Sequence, residues 1–153
     1  GSQHDQGIAD VIPNCGPLSG IHGAITHFQM HHSKISELLV IAVDMPDLCA
    51  EDFDHLLNMG RENRCLCIFE QCFLPLYLPL SVDVTEYLAS ALKHQQDGYL
   101  VKPKQRQYSV KKMLNSLQAL QIPPLKNTQL GNINTPEQWH QRCDEPPFIG
   151  TKT

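Results

Sequence analysis

Asp44 is the residue best placed to do chemistry. It closes the most hydrophobic stretch of the chain, Leu38-Leu39-Val40-Ile41-Ala42-Val43, and is followed by Met45-Pro46-Asp47. A near-continuous apolar run of this kind is typical of a strand covered on both faces, as in a parallel sheet. In open α/β sheets, ligands bind outside the carboxyl ends of the strands. A carboxylate delivered there suits a divalent cation, because Mg²⁺ takes one or two protein carboxylates and leaves its other positions to water and substrate phosphates. The same position would equally let Asp44 cap the following turn.

Charge is divided along the chain in a way that fits a metal-held anion. Between Glu37 and Asp54 there are six acids and no Lys or Arg. Between Lys93 and Lys126 there are seven bases (Lys93, Lys102, Lys104, Arg106, Lys111, Lys112 and Lys126) and one acid, Asp97. An acidic region suited to a metal and a basic region suited to an anion together fit a phosphorylated substrate. Lys111 and Lys112 also lie opposite the apolar stripe of their helix, where solvation alone would account for them.

Two further segments have loop chemistry. Gly16-Pro17-Leu18-Ser19-Gly20 opens a helix. Its glycines let backbone approach a planar or phosphate ligand closely, and a helix start offers free N–H groups. Asn132-Ile133-Asn134-Thr135-Pro136-Glu137 leaves a strand and enters a helix. Asn132 and Asn134 alternate onto one side, where their amides could bind a ligand or metal-bound water.

The six cysteines (Cys15, Cys49, Cys65, Cys67, Cys72, Cys143) show no zinc-knuckle spacing. They read as free thiols of a reducing, cytoplasmic compartment, with Cys65 and Cys67 on one strand face. His27 and His31 stand four apart on a probable helix with His22 a turn earlier. Without a clear fourth ligand they read as surface residues rather than a zinc site. No Ser-His-Asp or Cys-His arrangement is evident.

These residues must be positioned by alternating strands and helices. Ile8–Ile12 reads as a short strand, and Pro13–Gly20 as a loop. Ile21, Ala24, Ile25 and Phe28 mark the first helix, and Leu38–Val43 the next strand. Phe53, Leu56 and Leu57 mark a second helix stopped by Gly60. Cys65–Phe69 and Cys72–Leu78 read as strands. Val84, Leu88, Ala91 and Leu92 give a third helix. Val110, Met113, Leu114, Leu117 and Leu120 give a fourth, stopped by Pro123-Pro124. A last strand spans Gln129–Ile133. Thr135 then caps a terminal helix with Pro136 at its first position and Trp139 buried beneath. This is a single α/β domain over residues 3–141, with helices on both faces of a mostly parallel sheet. Gly1-Ser2 reads as a tag remnant, and 142–153 as a flexible tail.

With 41% hydrophobic and 18% charged residues among 153, the chain can bury a core and is not wholly disordered. Twelve Lys and Arg against sixteen Asp and Glu give a net charge of −4, which argues against a nucleic-acid partner held by bulk charge. No apolar run approaches the roughly 18 residues of a membrane span.

Taken in order, Gly16-Pro17-Leu18-Ser19-Gly20, Val43-Asp44-Met45-Pro46, Pro75-Leu76-Tyr77, Tyr108-Ser109-Val110 and Asn132-Ile133-Asn134-Thr135-Pro136-Glu137 resemble the molybdenum cofactor guanylyltransferase family. The resemblance covers residue 8 to about 141. It implies a three-layer, Rossmann-like nucleotidyltransferase fold and Mg²⁺-dependent transfer of GMP from GTP to molybdopterin. Asp44 would hold the metal, and Gly16, Leu18 and Gly20 would line the guanine side. Asn132 and Asn134 would sit by the metal or the pterin phosphate. The family tends to place an Arg directly before the helix-opening Ser. Here Tyr108 stands there, and Arg106, two residues earlier, is the candidate phosphate ligand.

The family also opens with a strand and a loop of adjacent glycines that holds the triphosphate. The glycines here (Gly1, Gly7, Gly16, Gly20, Gly23, Gly60, Gly98, Gly131, Gly150) include no adjacent pair. The resemblance therefore implies that an N-terminal part, with a central strand, is missing. That would leave an open sheet edge able to self-associate. A non-catalytic domain that binds molybdopterin or a molybdoenzyme or cofactor-assembly partner is the alternative.

Overall fold

The computed structural model describes residues 7–8, 17–32, 34–96, 109–132, 135, 137–138 and 141. Its elements run α1 (Pro17–His31), β1 (Glu37–Val40), α2 (Ala50–Asn63), β2 (Cys67–Phe69), β3 (Leu76–Pro79), α3 (Val82–Gln96), α4 (Val110–Ser116) and β4 (Leu120–Ile122). The strands form a sheet in the order β1-β3-β2-β4. β3 pairs antiparallel with both β1 and β2, whereas β2 and β4 pair in parallel. β1, β2 and β4 therefore share a direction, and β3 opposes them. The sheet is mixed and mostly of one sense.

Strand alternation sorts the core into two layers. Ile68, Leu76 and Leu78 face Leu18, Ile21 and Ile25 of α1, Val84 and Leu88 of α3, and Val110, Met113 and Leu114 of α4. Cys67, Phe69, Tyr77 and Ile122 point the other way, onto Leu56 of α2. Helices thus cover both faces.

Several element boundaries differ from the sequence expectation. Pro17-Leu18-Ser19-Gly20 is the first turn of α1 rather than a loop. Proline suits the first helical position, and Leu18 extends the Ile21–Ile25 stripe by one turn. β1 stops at Val40 and is half-buried throughout, not covered on both faces. Among the described residues it pairs on one flank only, with β3. Beyond it Val43 is 98% exposed. β2 begins at Cys67, leaving Cys65 outside the strand, and β3 begins at Leu76 rather than Cys72.

Two helix ends were hidden because neither carries glycine. α2 runs past Gly60 and ends at Arg64, whose φ is 53°. Arg64 N–H donates to the Arg61 carbonyl and Cys65 N–H to that of Gly60, both at 3.3 Å. α4 ends the same way at Gln118, with φ of 51°. Gln118 N–H reaches the Asn115 carbonyl at 3.3 Å, and Ala119 N–H reaches Leu114 at 2.9 Å. These are Schellman closures. The second one releases the chain early enough for Leu120–Ile122 to become β4, where a continued helix was expected. No strand forms over the described residues 129–132. Most of the Ile8–Ile12 strand, Trp139, the Gly1-Ser2 remnant and the 142–153 tail lie outside the described residues.

Gly60 has a different role from the expected helix stop. A Cβ built there would lie 2.1 Å from Cδ1 of Tyr77, whose ring is 3% exposed. Gly60→Ala should therefore destabilise the fold by about 1–3 kcal/mol from overpacking, net of a helix-propensity gain of about 1 kcal/mol. Denaturant midpoints check this, and an unchanged or raised midpoint would contradict it. The flank of β1 that has no strand partner among the described residues generates a second expectation, since unpaired N–H and C=O groups template strand pairing. Sedimentation velocity should show self-association rising with concentration and suppressed by Ile41→Lys. A strictly monomeric species would show that this edge is closed.

Candidate functional site

β1 delivers the chain to a turn at Val43-Asp44 at its carboxyl end. Asp44 is half-buried there, and the next side chain, Met45, is 6% exposed and anchors the turn. Among the described residues no group of three or more His, Cys, Asp or Glu could enclose a metal. The donor set at Asp44 is thus not an all-protein cage. It fits Mg²⁺, which commonly keeps water and substrate phosphates around one or two carboxylates.

The turn leads directly into α2, and the junction is built on a buried acid. Asp52, 1% exposed, accepts from Cys49 N–H at 3.0 Å and from Cys49 Sγ at 3.1 Å through Oδ2. This is a capping box with Cys49 at the N-cap. The other oxygen, Oδ1, accepts a short bond from the Thr128 hydroxyl. Burial pushes the Asp52 pKa up, but the bonds from Cys49 and Thr128 outweigh it and set it below its ordinary value. Asp52 raises the Cys49 thiol in turn. Sequence reading missed this junction because cysteine is an unusual N-cap. The available signal was an acid three residues beyond it.

β1 is fastened at its other end. Arg61 of α2 forks onto Glu37, with Nε 2.9 Å from Oε1, and Tyr77 of β3 donates to Oε2 at 2.9 Å. Arg61, and secondarily Tyr77, hold the Glu37 carboxyl below its usual range against burial. Burial and Glu37 together push Tyr77 up to about 12. Two members of the expected acidic metal region, Glu37 and Asp52, are therefore structural.

The other sequence candidates separate. Leu18, expected to line a guanine, is 1% exposed and packed in the core, so its side chain is withdrawn from any ligand surface. Gly20 is half-buried inside α1, not in a loop. Asn132 is exposed. Gly16, Asn134 and Arg106 lie outside the described residues, as do Lys102 and Lys104. Lys111 sits 6.0 Å from the Phe73 ring centroid, beside a cleft of about 470 Å³ also lined by Gln71, Asn115 and Gln118. None of the other described candidates lines that cleft. Thr135 exchanges bonds with Gln138, accepting from its N–H at 3.3 Å and donating its own N–H to Oε1 at 3.2 Å. It caps as its sequence suggests.

Cys49, Cys65, Cys67 and Cys72 are free thiols, and burial raises Cys67 to about 11. The His27 and His31 rings lie 4.7 Å apart on the partly exposed side of α1. His22 is turned inward, its Nδ1 buried without a partner among the described residues, and burial lowers its pKa.

The chain is thus a mixed α/β sheet protein, helix-covered on both faces, with a carboxylate just beyond the carboxyl end of β1. The solved molybdopterin-guanine dinucleotide biosynthesis protein A of Archaeoglobus fulgidus has this fold. It superposes with a TM-score of 0.56 at 22% identity over 82% of this chain and 60% of its own. No protein-family model matches. A molybdenum cofactor guanylyltransferase of Xanthomonas euvesicatoria pv. vesicatoria (strain 85-10) is 32% identical over 143 residues, 92% of this chain and 68% of that protein. The chain belongs to the molybdenum cofactor guanylyltransferase family. Among the described residues no helix is long and apolar enough to cross a membrane.

The Glu37 cluster generates a pH expectation. Its folded pKa is lowered from 4.5, so its contribution is complete above that value and is lost as pH falls through the lower, folded value. Glu37→Gln should lower the urea midpoint at neutral pH and flatten its acid limb. An acid limb identical to wild type would remove Glu37 from this role.

Proposed function

We propose that the protein acts in molybdenum cofactor biosynthesis by Mg²⁺-dependent transfer of GMP from GTP to molybdopterin, releasing pyrophosphate. The carrying observation is Asp44 at the carboxyl end of β1, in a chain 32% identical to a guanylyltransferase over 143 residues. A terminal phosphate oxygen of molybdopterin attacks the α-phosphorus of GTP. The bond from that phosphorus to the bridging oxygen breaks, and pyrophosphate leaves with the electron pair. Such transfers depend on positioning and charge stabilisation and need no protein nucleophile, in keeping with the absence of an evident triad in the sequence.

In this reading Asp44 holds the cation, which when bound neutralises charge on the phosphates. The backbone at Gly16 and Gly20 borders the guanine, with Leu18 supporting that turn from the core. Asn132 and Asn134 offer amides to metal-bound water or the pterin phosphate, and Arg106 offers charge to phosphate. A cytoplasmic setting suits the free thiols.

A second reading is a non-catalytic domain that binds molybdopterin or a molybdoenzyme assembly partner, to which the absence of adjacent glycines from these 153 residues gives its motive. The test uses protein from the complete reading frame with molybdopterin and Mg-GTP. Pyrophosphate and the dinucleotide product should appear, and Asp44→Ala should cut transfer by at least about 10²-fold, the scale of removing one charge-stabilising group. Unaltered circular dichroism would certify the variant's fold, and undiminished transfer would sink the assignment. Wild type that binds molybdopterin without forming dinucleotide would select the second reading. The 153-residue chain itself should bind Mg-GTP weakly, since no glycine pair offers a phosphate cradle. A micromolar Kd by calorimetric titration would relocate the nucleotide site.

A further inference from the structure

Asp52 joins two segments 76 positions apart in sequence. Its Oδ2 serves the Cys49 N–H and thiol, and its Oδ1 serves only the Thr128 hydroxyl among the described donors. A helix cap needs the first set alone. The second bond is not part of the cap and reaches into the segment that follows β4.

Both segments run on to residues of the proposed site. Cys49 lies five residues beyond Asp44, and the stretch between them is anchored by buried Met45. Thr128 lies four residues before Asn132. That stretch is held by Thr128 N–H on the Leu125 carbonyl at 3.0 Å, and by Leu130 packed against the core cluster that contains Leu56, Phe69 and Ile122. Spans of four or five residues extend at most about 14–18 Å. Both stretches are thus short, and a side chain packed inward in each (Met45 in one, Leu130 in the other) leaves little slack between Asp52 and the two site segments.

We propose that Asp52 is a positioning residue that couples the Asp44 turn to the Asn132 segment, so that the two sides of the nucleotidyl-transfer site move as one unit. The inference rests on the function proposed above for what those sides do, but the coupling itself does not. The chemistry calls for a carboxylate. Its two oxygens accept from three donors, whereas an Asn in its place would turn an N–H₂ toward one of them.

The test uses the full chain and Thr128→Val, which keeps shape and leaves the cap intact but removes the bridging hydroxyl. Residue-resolved amide hydrogen exchange is measured without ligand. The variant should exchange faster by about tenfold, the scale of one hydrogen bond to a charged group, both in residues 44–49 and in residues 128–132. Amides of β2 and β3 should be unchanged, and Thr128→Ser should restore both segments. Acceleration confined to residues 128–132, or spread evenly over the sheet, would overturn the coupling. If the valine variant does not fold, Thr128→Ala, which admits water beside Oδ1, should give the same two-segment pattern. Mn²⁺ is then added as the cation probe. Broadening at Asp44 and Asn132 is expected in wild type, and in the variant it should weaken at Asn132 only. No broadening at Asp44 would defeat the metal assignment while the exchange data still decide the coupling. Equal broadening at Asn132 in both proteins would defeat the coupling alone.

Discussion

The contact of the Tyr77 ring with Gly60 sets the distance between α2 and the sheet. A helix backbone can come this close only where no side chain intervenes. The consequences spread from there. The Tyr77 hydroxyl reaches Glu37, and Arg61, one residue beyond Gly60, reaches the same carboxylate. β1, with strand pairing on one flank among the described residues, is thereby tied to both β3 and α2. Its far end then carries Asp44 to a defined place. The surface ion pair adds little energy by itself. Its value lies in closing a triangle of strand, strand and helix over a buried ring.

The two faces of the sheet have different roles. One is broad, with α1, α3 and α4 covering Ile68, Leu76 and Leu78. It supplies most of the apolar burial among the described residues. The other is narrow, with α2 over Cys67, Phe69, Tyr77 and Ile122. Both fastenings of the proposed site, at Glu37 and at Asp52, lie on the α2 side. The strand alternation in Leu76-Tyr77-Leu78 separates the broad apolar packing from these two polar fastenings.

Much of this was legible in the residues. Leu38-Leu39-Val40, Ile68, Leu76 and Leu78 announce buried strands, and the stripes from Ile21 to Phe28, Val84 to Ala91 and Val110 to Leu114 announce their helices. Asp44 stands out in the sequence because it closes an apolar run, although the strand itself ends at Val40 and is only half-buried. What stayed hidden was set by tertiary contact. Leu18 looks like part of a glycine-rich loop until Pro17 is seen to start α1 over the core. Gly60 looks like a stop because its actual neighbour, Tyr77, is 17 residues away. Asp52 looks like one more acid in a charged helix start, since nothing local signals its bond to Thr128. β4 was hidden by a helix end that lacks glycine.

Those two glycine-free helix ends, together with Gln71 in the turn after β2, bear on how such a chain can change over time. Arg64, Gln71 and Gln118 all hold positive φ, at 53°, 64° and 51°. For a residue with a Cβ this backbone is less favourable by about 1–2 kcal/mol. Glycine or asparagine at any of them would relieve that strain without altering the core. Proteins generally sit just above the stability their function requires, and most substitutions at a working site lower it. Three unrelieved turns amount to latent mutational tolerance. A lineage that acquires glycine at one could accept a destabilising exchange around Asp44 or Asn132 and still fold, which leaves the site freer to drift than the tightly packed α2 face that supports it.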